Sequence, residues 1–325
     1  MPLTTNAARP PFDPELAAAL TLLGGDHPVL TEETLAAMRE MSTSSSDLSE
    51  ETLAASGLVA TDTSFPGYDG AELAATVIRR ADHAEAGPGI LHLHGGGMVM
   101  GDRRGGVEQF LSWVARHDAV MVTVDYRLAP EHPDPYPVED CYAGLVWTAG
   151  HAADLGIDPD RIVVAGASAG GGLSAGTALL ARDRNGPRLM GQVLVCPMLD
   201  DRDRTASTMQ YDEVVTVWSR QSNLFGWDAL LGERRGGEDV SVYAAPARAE
   251  DLSGLPPTYI DCGSAEVFRD EDVAYATALW RAGVRAELHV WAGGFHGFEM
   301  LAPQAAVSQA AAAARDDWFA RLLGS

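Results

Sequence analysis

Hydrophobic and polar positions follow two different patterns along this chain. In the first 55 residues the apolar positions have helical spacing and no strand pattern appears, which predicts three short helices. The predicted helices cover residues 14–23, 32–41 and 49–56. The glycine turn at 24–26 and the Ser/Thr run at 42–46 separate them, and Thr31 and Ser49 stand at expected N-caps.

From Leu58 onward, short apolar and β-branched runs alternate with helical periodicity. This alternation predicts an α/β fold with a mostly parallel sheet covered by helices on both faces. The predicted strands are Leu73–Arg79, Ile90–Leu93, Val120–Tyr126, Ile162–Ala165, Val193–Cys196, Thr258–Cys262 and Glu287–Val290. The predicted helices are Val107–His117, Val138–Leu155, Ala169–Asp183, Glu271–Gly283 and Ala305–Leu323.

Residues 201–250 interrupt this alternation because they contain no clear strand. They are rich in large side chains, namely Met209, Tyr211, Trp218, Phe225, Trp227 and Tyr243. Two interpretations remain open for these side chains: they belong to the core, or they form the wall of an apolar pocket.

Charge and composition remove several classes of protein. All 23 basic residues are Arg, so Schiff-base lysines, a Walker-type lysine and a Ser-Lys dyad are excluded. The net charge of −23 argues against binding nucleic acid or anionic membranes.

The three cysteines, Cys141, Cys196 and Cys262, are far apart and have no ligand-spaced partners. They are predicted to be buried free thiols, and no metal site is expected. The apolar run Leu16–Leu23 lacks the basic residues and cleavage site of a signal peptide, and no run is long enough for a membrane helix. We therefore expect a cytoplasmic protein.

A candidate nucleophile lies in Gly166-Ala167-Ser168-Ala169-Gly170, between a predicted strand and a predicted helix. Such a sharp turn needs small neighbours and exposes the serine hydroxyl above the sheet. The N–H of Ala169 then lies at a helix N-terminus, where it can donate to a developing oxyanion.

A second glycine motif, His94-Gly95-Gly96-Gly97, follows the strand Ile90–Leu93. Its N–H groups can converge on one substrate oxygen. A merely flexible loop is the alternative, but the pairing with the serine motif some 70 residues later favours an oxyanion hole.

The base is predicted to be His296, in a glycine-rich loop that follows the last predicted strand. This position brings it to the same sheet edge as Ser168. The run 260–271 offers four carboxylates to orient it, and Glu266 lies in the loop directly after a strand, whereas Asp270 and Glu271 resemble first-turn residues of the next helix.

Together these motifs resemble the hormone-sensitive-lipase-like family, the HGGG-type bacterial family IV carboxylesterases of the α/β-hydrolase superfamily. The resemblance covers about residues 85–323. Its motifs stand in family order at 94–97, 125–133, 166–171, 266–271 and 295–298. The segment Asp125–Pro133 is interpreted as structural.

The resemblance implies that Ser168 is the nucleophile and His296 the general base and acid, with the amides of Gly96, Gly97 and Ala169 as the oxyanion hole. It also implies a cap over the site, formed by an N-terminal segment (1–55) and an insertion (201–250) on a catalytic domain (56–325). The substrate pocket is expected to include Met98, Trp218, Phe225 and Phe298.

Two positions depart from the family pattern. Ala167 stands where the family usually has Asp, and Glu266 stands where the acid motif of the family usually begins with Asp. Glu is one methylene longer but keeps the carboxylate, so a Ser-His-Glu triad is predicted.

The predicted activity is hydrolysis of short- to medium-chain carboxylic esters through an acyl-enzyme, without a cofactor. An amidase, lactonase or deacetylase using the same triad is the alternative, and a non-catalytic small-molecule receptor is a more distant one, disfavoured because both Ser168 and His296 are present. The expected partner is a small neutral ester, and the resemblance also allows a homodimer.

Overall fold

A computed structural model describes residues 8–22, 29–44, 49–212 and 216–324. The eight strands are β1 (Leu58–Pro66), β2 (Glu72–Arg80), β3 (Gly87–Leu93), β4 (Val120–Val124), β5 (Ile157–Ala167), β6 (Gly191–Val195), β7 (Thr258–Gly263) and β8 (Ala286–Trp291). They form one sheet in the order β1-β2-β4-β3-β5-β6-β7-β8. The pairs β1–β2 and β2–β4 are antiparallel, and all pairs from β4 to β8 are parallel.

The helices that accompany this sheet are α1 (Pro14–Leu22), α2 (Glu32–Ser44), α3 (Glu50–Ala55), α4 (Leu111–His117), α5 (Tyr136–Gly150), α6 (Ala152–Leu155), α7 (Ala169–Asp183), α8 (Ala206–Gln210), α9 (Arg220–Leu231), α10 (Arg269–Arg281), α11 (Phe298–Leu301) and α12 (Ala306–Leu323). None of the helices in the described ranges is long and apolar enough to span a membrane.

The central strands are buried on both faces, as their continuous apolar runs predict. Leu91, Val122 and Val164 pack on one face in a cluster with residues of α5 and α7. Their neighbours along the strands, such as Ile90 and Val163, pack on the opposite face with residues of α4 and α12. The period of two along each strand therefore places helices on both sides of the sheet.

Several predicted boundaries were wrong. Strand β1 was not predicted because Leu58 and Phe65 are almost its only buried apolar side chains. The helix predicted at 107–117 begins as a 3₁₀ turn and becomes α-helical at Leu111, and the helix predicted at 138–155 is interrupted at His151. Helix α2 continues through Ser44 into the predicted turn, and the predicted turn at 24–26 lies outside the described residues.

The N-terminal segment and the 201–250 insertion contact each other and the body of the protein. The described residues of the insertion contain helices and no strand. Its two ends are linked by a hydrogen bond, since Arg248 donates to the carboxylate of Asp201 at 2.8 Å. The N–H of Leu30 donates to the hydroxyl of Ser222 in α9 at 3.1 Å. From α2, Arg39 donates to the carbonyl of Val99, next to the glycine loop.

Candidate active site

Ser168 lies at the turn between β5 and α7 in a strained backbone conformation. Its φ of 59° and ψ of −122° are unusual for a residue with a side chain. A Cβ on Gly166 would lie 2.5 Å from the carbonyl oxygen of Leu93, and one on Gly170 would lie 1.9 Å from the same oxygen. Both flanking positions therefore require glycine, for the reason that the sequence motif suggested.

Ser168, His296 and Glu266 form one hydrogen-bonded chain. Nε2 of His296 lies 2.9 Å from Oγ of Ser168, and its Nδ1 lies 2.7 Å from Oε2 of Glu266. All three side chains are buried. When Nδ1 carries the imidazole proton, it donates to the carboxylate and leaves Nε2 free to accept the serine proton.

Glu266 is held from its other side as well. Its Oε1 accepts the N–H of Gly263, at the end of β7, at 2.7 Å. The longer side chain of Glu is thus folded back on its own loop, and the carboxylate still reaches the imidazole.

The other three carboxylates of the run have different partners. Asp270 accepts the N–H of Ser207 at 2.8 Å. Glu271 accepts the N–H of Leu199 at 2.8 Å, and burial raises the pKa of this carboxyl well above its usual range. Asp261 faces α12 instead. Of the four carboxylates in this run, Glu266 is the one that hydrogen-bonds to His296.

The glycine loop after β3 adopts a conformation that side chains would block. Gly96 has a φ of +112°, and a Cβ there would lie 2.1 Å from the carbonyl oxygen of Met100. Gly97 has a φ of +61°, and a Cβ there would lie 2.4 Å from the ring of Trp218. This loop conformation therefore requires glycine at both positions, and the loop is not merely a flexible connection.

Buried side chains fix the start of this loop. The ring of His94 stacks on Tyr126 with 4.1 Å between centroids, and the Tyr126 hydroxyl donates to the His94 carbonyl at 2.8 Å. Nδ1 of His94 lies 2.7 Å from the carbonyl oxygen of Gly95. His94 thus orders the loop and is not positioned as a base.

The predicted oxyanion donors lie at this junction. The Cβ of Ser168 is 3.6 Å from where a Cβ on Gly95 would be, so the loop lies directly beside the serine. Within the described part of the chain, the N–H groups of Gly96, Gly97 and Ala169 have no hydrogen-bond acceptor. These three backbone N–H groups therefore remain free to donate to another acceptor.

A buried ionic network that the sequence did not reveal holds the loop carrying His296. Arg315 of α12 donates to Oε1 of Glu299 at 2.6 Å and to Oδ2 of Asp261 at 3.1 Å. The same Asp261 oxygen accepts from the indole N–H of Trp291 at 3.3 Å. Because Trp291 precedes the loop and Glu299 follows it, the network fixes both of its ends.

The predicted pocket residues fall into two places. Trp218 packs against Gly97, and its ring centroid lies 6.3 Å from that of His296. Met98 is fully buried beside α7, and Phe225 is partly buried against the same cluster. Phe298 instead packs with Leu16 of α1 and lines a small cavity together with Glu266.

All three cysteines are free and buried, as predicted. The sequence did not indicate that Cys196 lies near Glu266 and His296. One ligand atom of each of Cys196, Glu266 and His296 lies within 4.8 Å of the others. Nothing in the spacing of these three residues along the chain could have shown this.

Comparisons with known proteins show the family of this chain. A family model described as an alpha/beta hydrolase fold matches residues 90–300. Esterase LipI of Mycobacterium tuberculosis is 38% identical over 209 residues, 64% of this chain and 64% of that protein. The match therefore spans just under two thirds of that relative. Carboxylesterase NlhH of the same organism is 38% identical over 233 residues, 67% of this chain and 70% of that protein.

Solved structures extend the similarity to almost the whole chain. A structure titled bacterial heroin esterase has a TM-score of 0.88 and 39% identity, covering 97% of this chain and 98% of that one. Esterase LipW from Mycobacterium marinum has a TM-score of 0.86 and 33% identity, with the same coverage.

Proposed function

Because this chain belongs to the α/β-hydrolase family, in the hormone-sensitive-lipase-like branch of esterases, we propose that it hydrolyses neutral carboxylic esters through a Ser168–His296–Glu266 triad. The observation that carries the proposal is the buried chain of hydrogen bonds, 2.9 Å from serine to imidazole and 2.7 Å from imidazole to carboxylate. With no lysine in the chain, His296 is the base at hand for this serine.

In the proposed acylation step, Nε2 of His296 takes the Ser168 proton as Oγ attacks the ester carbonyl carbon. Glu266 keeps the imidazole in the required tautomer and stabilises the imidazolium that forms. The N–H groups of Gly96, Gly97 and Ala169 donate to the carbonyl oxygen as it becomes an alkoxide. Such preorganised donors act in a water-poor site, where they stabilise charge most strongly.

His296 then gives its proton to the leaving alcohol, and the acyl group remains on Ser168. In deacylation the same imidazole takes a proton from water, which attacks the acyl carbon and releases the acid. Each half-reaction uses the same base, acid and oxyanion donors, so the cycle returns the enzyme unchanged.

The proposed substrates are short- to medium-chain esters. Trp218 lies against Gly97 and near His296, which supports a short acyl pocket closed by the insertion. The net charge of −23 favours neutral esters over polyanionic ones. In this proposal, residues 1–55 and 201–250 act together as the cap, in keeping with the bond between Leu30 and Ser222.

The test is hydrolysis of p-nitrophenyl butyrate by the native protein and by Ser168→Ala. We expect the variant to lose at least about 10⁴-fold in kcat while its circular dichroism and melting curve stay native. Ser174→Ala is the matched control, since this buried serine lies in α7, the helix that follows Ser168, and donates to the Gly170 carbonyl at 2.7 Å. Equal activity in Ser168→Ala would contradict the proposal.

Acyl-chain preference is tested separately. We expect kcat/KM for p-nitrophenyl butyrate to exceed kcat/KM for p-nitrophenyl palmitate. In Trp218→Ala the ratio of these two kcat/KM values should be smaller. Faster hydrolysis of p-nitroanilides than of esters would favour the amidase alternative instead.

A further inference from the structure

We propose that this esterase carries an inhibitory site for Zn²⁺, formed by Cys196 together with two members of its own triad, Glu266 and His296. The inhibitory effect of this site rests on the esterase function proposed above. Binding of the metal itself does not depend on that function. Its ligand class is a thiophilic divalent cation.

Cys196 reaches the triad because the chain after β6 wraps around the serine turn. The N–H of Ser168 donates to the Val195 carbonyl at 2.8 Å, and the N–H of Met198 donates to the Ser168 carbonyl at 2.9 Å. Between these two bonds, Cys196 has a φ of +37°, an unusual value for a residue with a side chain. The thiol is therefore held beside the acid–base pair by the same backbone that positions the nucleophile.

The three side chains supply the donor set that zinc prefers. Zn²⁺ binds thiolate sulfur at about 2.3 Å and imidazole nitrogen or carboxylate oxygen at about 2.0–2.2 Å. The ligand atoms of Cys196, Glu266 and His296 already lie within 4.8 Å of one another. Small rotations of these side chains would bring all three onto one ion, with a fourth position left open for water.

A small cavity also lies beside two of the three residues, Cys196 and Glu266. A small cavity of about 10 Å³ is lined by Cys196 and Glu266, with Cys262, Asp261 and Glu299 around it. Oδ1 of Asp261 is buried and has no hydrogen-bond partner among the described residues. The cavity wall thus offers thiols and carboxylates, of which Asp261 and Glu299 also pair with the buried Arg315.

Binding would block the reaction by fixing the wrong imidazole tautomer. The ion occupies Nδ1 of His296, and the proton formerly on Nδ1 moves to Nε2. The Cys196 thiol loses its proton to solvent, so one proton is released per ion and no electrons are transferred. With Nε2 protonated, His296 can no longer accept the Ser168 proton, and the Glu266 carboxylate is bound to the metal.

The other two cysteines provide matched controls. Cys262 lines the same cavity, but its sulfur is not one of the three clustered ligand atoms. Cys141 is buried on α5 within the main core cluster. Replacing either by serine makes the same thiol-to-hydroxyl change as Cys196→Ser without removing the proposed ligand.

The experiment titrates Zn²⁺ against esterase activity, with each rate expressed relative to the same variant without metal. We expect the native enzyme, Cys141→Ser and Cys262→Ser to be inhibited over the same concentration range and restored by EDTA. Cys196→Ser should need more than about tenfold more Zn²⁺ for the same inhibition. Equal sensitivity of Cys196→Ser and the native enzyme would overturn the proposal.

A second measurement does not depend on activity. Co²⁺ added to the inactive Ser168→Ala protein should produce a thiolate-to-cobalt absorption band, and the Ser168→Ala/Cys196→Ser protein should lack it. A band of equal intensity in both proteins, or in neither, would overturn the site. If the native protein proved to have no esterase activity, the cobalt band would still report on the metal site by itself.

Discussion

Ser168 is positioned by backbone, whereas His296 is positioned by side chains. On the serine side, glycines at 96, 97, 166 and 170 allow close approaches that any Cβ would block. On the acid–base side, Arg315, Asp261 and Glu299 form a buried ionic network around the His296 loop. Added side-chain atoms should therefore disrupt the serine side, whereas removal of a charged group should disrupt the acid–base side.

The largest effect is expected from removing the charge next to His296. Glu266→Gln keeps the shape of the side chain but removes the carboxylate that stabilises the imidazolium in the proposed mechanism. We expect kcat for p-nitrophenyl butyrate to fall by about 10⁴-fold with an unchanged fold. Asp270→Asn is the control, and it should stay close to native. If Asp270→Asn were the damaging change, the assignment of the acid would be wrong.

The next largest effect is expected at Arg315. Arg315→Met leaves the carboxylates of Asp261 and Glu299 buried without their cation, which should cost about 3–5 kcal/mol of unfolding free energy. The folded variant should also lose kcat, because both ends of the His296 loop lose their anchor. Denaturant unfolding and steady-state kinetics measure the two effects.

Arg127→Met is the comparison variant for Arg315→Met. Arg127 pairs with the fully buried Asp140 at 2.8 Å, away from the His296 loop. Arg127→Met should lose a similar amount of unfolding free energy but retain most of its kcat. If both variants lost the same fraction of kcat, the loss in Arg315→Met would follow from lower stability and not from the release of the His296 loop.

On the serine side, Gly96→Ala tests the backbone argument. The new methyl group meets the Met100 carbonyl at a φ that side chains rarely adopt, so the loop must shift and misalign its N–H donors. We expect kcat to fall by about 10²–10³-fold. In Gly105→Ala the Cβ would lie 3.5 Å from the Asp102 carbonyl oxygen, an ordinary contact, and activity should persist. Similar losses in both variants would contradict the proposed role of the loop.

The smallest predicted effect concerns acid stability on the serine side. Burial lowers the pKa of His92, on β3, from 6.5 to about 3. The unfolded chain therefore binds a proton below pH 6.5 that the folded protein does not, and stability falls as the pH drops from 6.5 toward 3. Between pH 6.5 and 5 this single group should cost about 2 kcal/mol.

His92→Gln should flatten this pH dependence, measured by denaturant unfolding at pH 7.5 and pH 5. The exposed His151 supplies the control variant, His151→Gln, which should keep the native pH dependence. An identical acid loss in His92→Gln would show that other groups, such as His94, account for it.

The same difference between the two sides explains what could be predicted from sequence. Glycines around Ser168 and after His94 are local signals, because a turn without room for a Cβ needs glycine at fixed positions. Buried parallel strands such as Val120–Val124 were also predicted, since both faces are apolar. Strand β1 was missed because a strand with few buried side chains has little hydrophobic pattern.

The side-chain network could not be predicted because its partners are distant in sequence. Arg315 and Asp261 are separated by 54 residues, and the sequence of the alanine-rich helix α12 does not show that Arg315 is buried. The proximity of Cys196 to Glu266 and His296 likewise depends on how β6, β7 and β8 align in the sheet. Such contacts follow from tertiary packing and not from a local motif.

In the proposed mechanism His296 makes Ser168 nucleophilic, and covalent labelling tests this role of His296 most directly. The native protein and His296→Ala are exposed briefly to a fluorophosphonate, and the modified residue is located by peptide mass spectrometry. We predict a single adduct on Ser168 in the native protein and much slower labelling in His296→Ala. An adduct on a different residue, or equal labelling rates in the two proteins, would contradict the account.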